Sequence, residues 1–154
     1  MRLKKRAIMF LTLVAIAIIA GSTAIYVFFF LPQQLTSAET ARRMEGIYSR
    51  ATIIMGQMRS DIQEWGARNI TNTVFSTRMD DLKADIVTVR ADLTELKKVA
   101  FPTYVESIDF LNLGLLAYIS ALDYAHDLNF NQTLTYLDQG TEYVNRSMAA
   151  LPES

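Results

Sequence analysis

The sequence of 154 residues has no cysteine. Disulfide frameworks, thiol nucleophiles and cysteine-ligated zinc are excluded at once. A domain of this kind outside the cytoplasm must be held by packing alone, which fits a bacterial or archaeal envelope better than a small disulfide-rich secreted module. Histidine occurs once, at His126, and proline three times. The six glycines are scattered, so no glycine-rich phosphate loop is present. Charge is missing over a long stretch as well. After Arg2, Lys4, Lys5 and Arg6 the next charged side chain is Glu39. Of the 15 Lys and Arg, those four precede residue 7; the remaining 11 face 16 Asp and Glu, which leaves about −5 on the rest of the chain. An acidic domain has no pull on a phosphate backbone, so nucleic acid is not an expected partner.

Residues 7–31 form an uncharged, mostly apolar run. As a helix, at a rise of 1.5 Å per residue, it reaches about 37 Å, more than the hydrocarbon core of a bilayer. Ser22 and Ala24 have the small-residue spacing that a signal peptidase accepts, yet Ile25 to Leu31 continue the run. Cleavage there would leave the greasy end IYVFFFLP, so the reading is a retained signal anchor that contacts membrane lipid. With the basic cluster Arg2, Lys4, Lys5 and Arg6 on one side only, the N-terminus is cytoplasmic and the rest extracytoplasmic. The predicted organisation is 1–6 basic terminus, 7–31 transmembrane helix, 32–36 juxtamembrane break at Pro32, and 37–151 a helical domain.

Four helices follow from the periodicity. Thr36-Ser37-Ala38-Glu39 is a capping box that starts the first near Ser37. Its stripe is Ala41, Met44, Ile47, Ala51, Ile54, Met58, Ile62 and Trp65, with an irregular step near Met58. Phe75, Met79, Leu82, Ile86, Val89, Leu93, Leu96 and Ala100 alternate steps of four and three, a coiled-coil-like seam that could also serve a dimer. Its other face is charged, with i,i+3 pairs at Arg78/Asp81, Asp80/Lys83 and Glu95/Lys98. Thr103-Tyr104-Val105-Glu106 reads as a second capping box. The third stripe is Tyr104, Ile108, Leu111, Leu115, Tyr118, Leu122 and Ala125, widened by Phe110, Leu113, Leu116 and Ile119, so this helix is expected to be the most buried. The fourth carries Leu134, Leu137, Thr141, Val144, Met148 and Leu151. Short connections favour antiparallel neighbours, and the expected fold class is all-α: a transmembrane helix followed by an antiparallel up-down-up-down four-helix bundle.

Chemistry is thin. Asp123, His126 and Asp127 share one helical face, half of a carboxylate–histidine metal motif, but no second histidine exists to complete it. No catalytic residues, cofactor or metal site are assigned. Met44, Met55, Met58 and Met79 read as pliable core filler. Gly46, Gly56, Gly114 and Gly140 fall inside helical patterns, where they signal close helix approach or room for a ligand that Tyr48, Tyr104, Tyr118, Tyr124, Tyr136, Tyr143 and Trp65 could line. Three N-x-[ST] sequons offer glycosylation at Asn69, Asn131 and Asn145; the first two are expected in loops and the third mid-helix.

A basic terminus, one span and four extracytoplasmic helices resembles the front of the four-helix-bundle sensor domains of chemotaxis receptors and histidine kinases. The likeness covers about residues 2–151 and is one of architecture, not of motif. It implies ligand sensing. Those receptors return through a second span to an output domain, whereas this sequence reads Pro152-Glu153-Ser154, so signalling would need a partner's output. The expected role is therefore a membrane-anchored, non-enzymatic bundle engaged in protein interaction or scaffolding, with a protein partner or homo-oligomer. The alternative is a small-molecule sensor domain working through a partner.

Overall fold

The computed structural model describes residues 34–152. The expected span at 7–31, the basic cluster and Pro32 lie outside the described residues. Within them the chain is all-α: α1 (Ser37–Gly66), α2 (Asn72–Val99), a 3-10 turn (Pro102–Tyr104), α3 (Val105–His126) and α4 (Phe130–Ala149), with no strand among the described residues.

The helix ends show local chemistry at work. The box at α1 forms: Thr36 Oγ1 accepts from the Glu39 amide at 3.2 Å, and Glu39 Oε2 accepts from the Thr36 amide at 3.0 Å. The Thr36 amide first, and then the Thr36 hydroxyl donating to the same Oε2 at 2.8 Å, hold the Glu39 carboxyl below its ordinary range. Thr71 and Asn129 cap α2 and α4 by their side chains alone, accepting from the Val74 and Gln132 amides. The second expected box does not form. Pro102 opens a 3-10 turn, the Tyr104 amide donates to Phe101 O, and α3 begins one residue later without a side-chain cap. α1 and α3 both end through a left-handed residue, Arg68 (φ 60°) and Leu128 (φ 58°), whose successor's amide reaches back to Glu64 O or Tyr124 O.

Packing follows the chain order. α2 lies against α1, α3 against α2 and α4 against α3, while α1 and α4 barely approach at the backbone. The α2 seam is as expected: all eight of its residues are buried. It is consumed by the chain's own core and is not free for a dimer.

On α1 the buried row is Thr40, Met44, Ile47, Ala51, Ile54, Met58 and Asp61, with Trp65 partly buried and Met55 buried beside the row. That is an unbroken alternation of four and three. The expected irregularity came from reading Ala41 and Ile62, the apolar neighbours, in place of polar Thr40 and Asp61. Both polar residues are satisfied. Thr40 Oγ1 donates to Thr36 O and accepts from the Phe101 amide, each at 3.0 Å. Asp61, 1% exposed, accepts from Arg78 at 2.7 Å and from Gln57 at 3.1 Å. Arg78 also pairs with Glu64 at 2.8 Å, and these two carboxylates, Glu64 first, raise its pKa.

The fourth helix corrects the sequence more strongly. Its buried residues are Thr133, Leu137, Gly140 and Ser147, whereas Leu134 and Met148 are about half exposed. On α3 the face widens through Ser107, Gly114, Ala117 and Ala121; of the large residues expected there, Leu113 and Leu116 face outward. The reason is a close approach. Ser107 and Ser147 exchange bonds, each hydroxyl donating to the other's carbonyl (2.8 and 2.5 Å). Seven residues along, a Cβ on Gly114 would meet Gly140 O at 3.1 Å, and one on Gly140 would meet the Tyr118 ring at 2.4 Å. One more step reaches Ala121 and Thr133, both fully buried. Small residues every seven positions set this interface, and larger ones are displaced to its flanks.

The segment Pro102–His126 is long and apolar enough to cross a membrane by length and composition, and half of its most apolar stretch is buried among its neighbours.

Candidate functional site

Where α1 and α4 stay apart, a groove of about 670 Å³ opens beside the start of α1. Its α1 wall presents Ser37, Ala38, Ala41, Met44, Glu45 and Tyr48; Tyr104, Met148, Leu151 and Pro152 complete it. Two local features make the space. Ala38 and Ala41 put little bulk on the wall, and α4 ends at Ala149, so that Met148, Leu151 and Pro152 border the opening among the described residues. Met44 and Tyr104 are buried beneath it. Ser37 Oγ and the Tyr104 hydroxyl lie 3.4 Å apart.

Tyr48 closes the groove at its inner end. Its hydroxyl bonds Ser147 Oγ and lies 3.2 Å from Ser107 Oγ, so one phenol from α1 joins the serine clasp between α3 and α4. Beyond Tyr48 a smaller cavity of about 200 Å³ continues along the same side, bordered by Met55, Gly56, Arg59, Tyr118, Thr141 and Val144. The two spaces share Tyr48 as their common wall.

The residues singled out by sequence sort themselves around this site. Tyr48 and Tyr104 line the groove, and Tyr118 borders the smaller cavity. Tyr124 stacks on Tyr136 at 5.3 Å and Tyr143 lies beneath Arg146. Trp65 joins Phe75 and Phe130 at the far end, its Nε1 donating to Asn72 at 2.8 Å. Met44, Met55, Met58 and Met79 are all buried, Met44 doubling as groove floor. Gly114 and Gly140 mark close approach; Gly46 and Gly56 do not, since a Cβ at either meets nothing within 4 Å. Those two border open spaces instead, Gly46 between α1 and α2 and Gly56 beside Tyr48.

Asp123, His126 and Asp127 do not converge on a common centre. Asp123 pairs with Lys83 at 2.5 Å and raises the lysine pKa. His126 Nδ1 lies 3.1 Å from Asp80 Oδ1, within ion-pair distance but without hydrogen-bond alignment. No group of three His, Asp or Glu suited to a metal ion occurs among the described residues. The interhelix pairs also replace two of the three expected i,i+3 pairs: Arg78 turns to Asp61 and Glu64, Lys83 to Asp123, and only Glu95–Lys98 forms, at 2.6 Å. Partners on another helix win where they sit as close and more buried.

Of the sequons, Asn69 lies exposed in the α1–α2 connection. Asn131 is not in a loop but in the first turn of α4, because Asn129 is the cap. Asn145 is mid-helix, as expected. The hydroxyl residues of these last two sequons, Thr133 and Ser147, are fully buried and hydrogen-bonded within the bundle. Sequence reasoning missed Ser107, Ser147 and Asp61. The first two had a legible signal in the seven-residue spacing of Ser107, Gly114 and Ala121 and of Thr133, Gly140 and Ser147. Comparison with protein-family models, curated proteins and solved structures finds no match to this chain.

Proposed function

We propose that the chain is a membrane-anchored, non-enzymatic extracytoplasmic bundle of up-down-up-down topology that works by protein interaction in a cell-envelope complex. The anchor reading rests on the uncharged run 7–31 and its one-sided basic flank. The antiparallel reading is supported by contacts at two opposite ends. Leu35 and Thr40 of the α1 start meet Val99 and Phe101; Trp65 of the α1 end meets Phe75 and Phe130. The non-enzymatic reading is supported by the divergence of Asp123 and His126 toward separate partners.

The observation that carries interaction is the outer face of α3. Phe101, Leu113 and Leu116 are each more than a third exposed, and Leu113 borders a shallow hollow with Pro102, Val105 and Phe110 and the carboxylates of Glu106 and Asp109. An exposed apolar patch of this kind marks a contact surface. Lys97 and Asp109 form an ion pair at its border, so both signs of charge are present for a self-complementary, two-fold contact with a second copy. The absence of cysteine makes the test direct. In the full chain in membranes, Leu113→Cys forms disulfide-linked dimers on mild oxidation, and Leu134→Cys, exposed on α4, does not. Monomers from both variants would overturn the reading.

A second reading is favoured by the groove between α1 and α4. Its size lies within the range of about 300–1,000 Å³ typical of small-ligand sites, and it is apolar with a few polar groups at its edge. That is the arrangement a sensor domain needs.

A further inference from the structure

The three sequons sit on different backbones, and the backbone decides which of them can serve. The motif is read through two groups at once, the asparagine carboxamide and the hydroxyl two residues on, so both must be open to one approach. In a helix, side chains two positions apart diverge by about 200°. Asn131 and Thr133 lie together in α4, and so do Asn145 and Ser147. Both asparagines are exposed, whereas both hydroxyl residues are turned into the bundle and fully buried. Thr133 Oγ1 donates to Asn129 O at 2.9 Å, and Ser147 Oγ donates to Ser107 O at 2.5 Å. Presenting either sequon requires α4 to unwind and, at Ser147, the clasp to α3 to open.

Asn69-Ile70-Thr71 lies wholly between α1 and α2, outside any helix. The left-handed Arg68 turns the chain away from α1, and the Asn69 amide is held by Glu64 O at 2.9 Å. Ile70 is partly buried against the core and anchors the connection, while Asn69 and Thr71 are both exposed. Thr71 Oγ1 accepts from the Val74 amide at 3.3 Å, which leaves its hydrogen available to donate. The carboxamide and the hydroxyl are therefore reachable together without disturbing a helix. We propose that Asn69, alone of the three, is an N-glycosylation acceptor in the folded domain, taking an oligosaccharide from a polyprenyl-diphosphate donor. The bond from Asn69 Nδ2 to the sugar C1 forms as the C1–O bond to the phosphate breaks. The diphosphate leaves with the bonding pair, and the amide proton passes to solvent. In the cell this rests on the extracytoplasmic reading proposed above.

The test incubates the purified, folded full chain with an oligosaccharyltransferase that accepts N-x-[ST] and a lipid-diphosphate-linked oligosaccharide. Tryptic mapping by mass spectrometry is expected to find one glycan, on the peptide 69–78. Occupancy at Asn131 and Asn145 is expected to be at least about tenfold lower. Synthetic peptides spanning 129–135 and 143–149 are expected to be modified, since there the fold no longer withholds the hydroxyl. Asn69→Gln abolishes the product. Thr71→Asp keeps a good cap for α2 but removes the hydroxyl, so it is expected to abolish the glycan while circular dichroism and the unfolding midpoint stay unchanged. An unmodified Asn69, or comparable occupancy at Asn131 or Asn145 in the folded chain, would overturn the proposal. Location is read separately. In intact cells Asn69→Cys is expected to react with a membrane-impermeant maleimide. A cysteine shielded in cells but reactive after lysis would sink the extracytoplasmic reading, and with it modification in the cell, while the acceptor assay still reports on the site itself.

Discussion

The helix α4 has two neighbours and treats them differently. Toward α3 it presents Thr133, Gly140 and Ser147, and the backbones close until a single added methyl would strike Tyr118. Toward α1 it presents Met148 and Val144 across open space, with only Ser147 reaching Tyr48. The same helix is thus welded on one side and ajar on the other. Residue size decides which. Small side chains every seven positions allow continuous approach on the α3 side. On the α1 side Ala38, Ala41 and Gly56 are equally small, but no complementary row faces them, so smallness there leaves room instead of contact.

The sharpest way to break this contrast is to add bulk to the closed side. Gly140→Ala is expected to lower stability by about 1–3 kcal/mol, because its Cβ would press on the Cδ1–Cε1 edge of the Tyr118 ring while Gly114 O hems it in at 3.2 Å. Urea unfolding followed by circular dichroism reads this, and an unchanged midpoint would show that the seam is looser than described. Next in size is the clasp. Ser147→Ala deprives both Tyr48 and Ser107 of a partner and is expected to cost about 1–2 kcal/mol. A double-mutant cycle with Tyr48→Phe should return a coupling of about 0.5 kcal/mol or more if the phenol and serine act together.

On the open side the sign reverses. Gly56→Ala meets nothing and is expected to raise stability by about 0.5–1 kcal/mol through helix propensity. A loss there would mean that α1 sits closer to α4 than the groove implies. The smallest effect concerns how the start of α1 is held. The Glu39 carboxyl is lowered from 4.5 by its bonds to Thr36, so its folded pKa lies below its unfolded one. That contribution is present above 4.5 and is lost as pH falls through the folded value. The acid limb of the stability profile should flatten in Glu39→Gln, and an unaltered limb would remove the box from the pH response.

The fold could be read from the sequence wherever burial and hydrophobicity coincide. The α2 seam, the Tyr104–Ala125 stripe of α3 and the Thr36–Glu39 box all stand where the sequence put them. The reading failed where a helix buries what is small or polar. Thr40 and Asp61 continue the α1 seam but carry oxygen atoms, so their apolar neighbours Ala41 and Ile62 drew the stripe away from them. The α4 face was misplaced for a related reason. Leu134 and Met148 outweigh Thr133 and Ser147 on any hydrophobic scale, yet close contact with α3 excludes them. Of the residues expected to line a gap, only Tyr48 and Tyr104 border the groove, and none of the glycines does. Its position was not legible, since a cavity depends on which helix pair fails to meet, and that is a property of three interfaces at once.

One small contact at the α1 start has a mechanical meaning. Leu35 donates its amide to Val99 O at 2.7 Å, and Thr40 links the Thr36 carbonyl to the Phe101 amide. The chain therefore enters the bundle stitched to the end of α2 as well as to α1. Tension applied at Gln34 is shared between two helices before it can peel either one, and the junction behaves as a splice instead of a hinge. A pull or twist delivered there would reach the α2–α3 connection directly, and with it the base of the apolar face on α3.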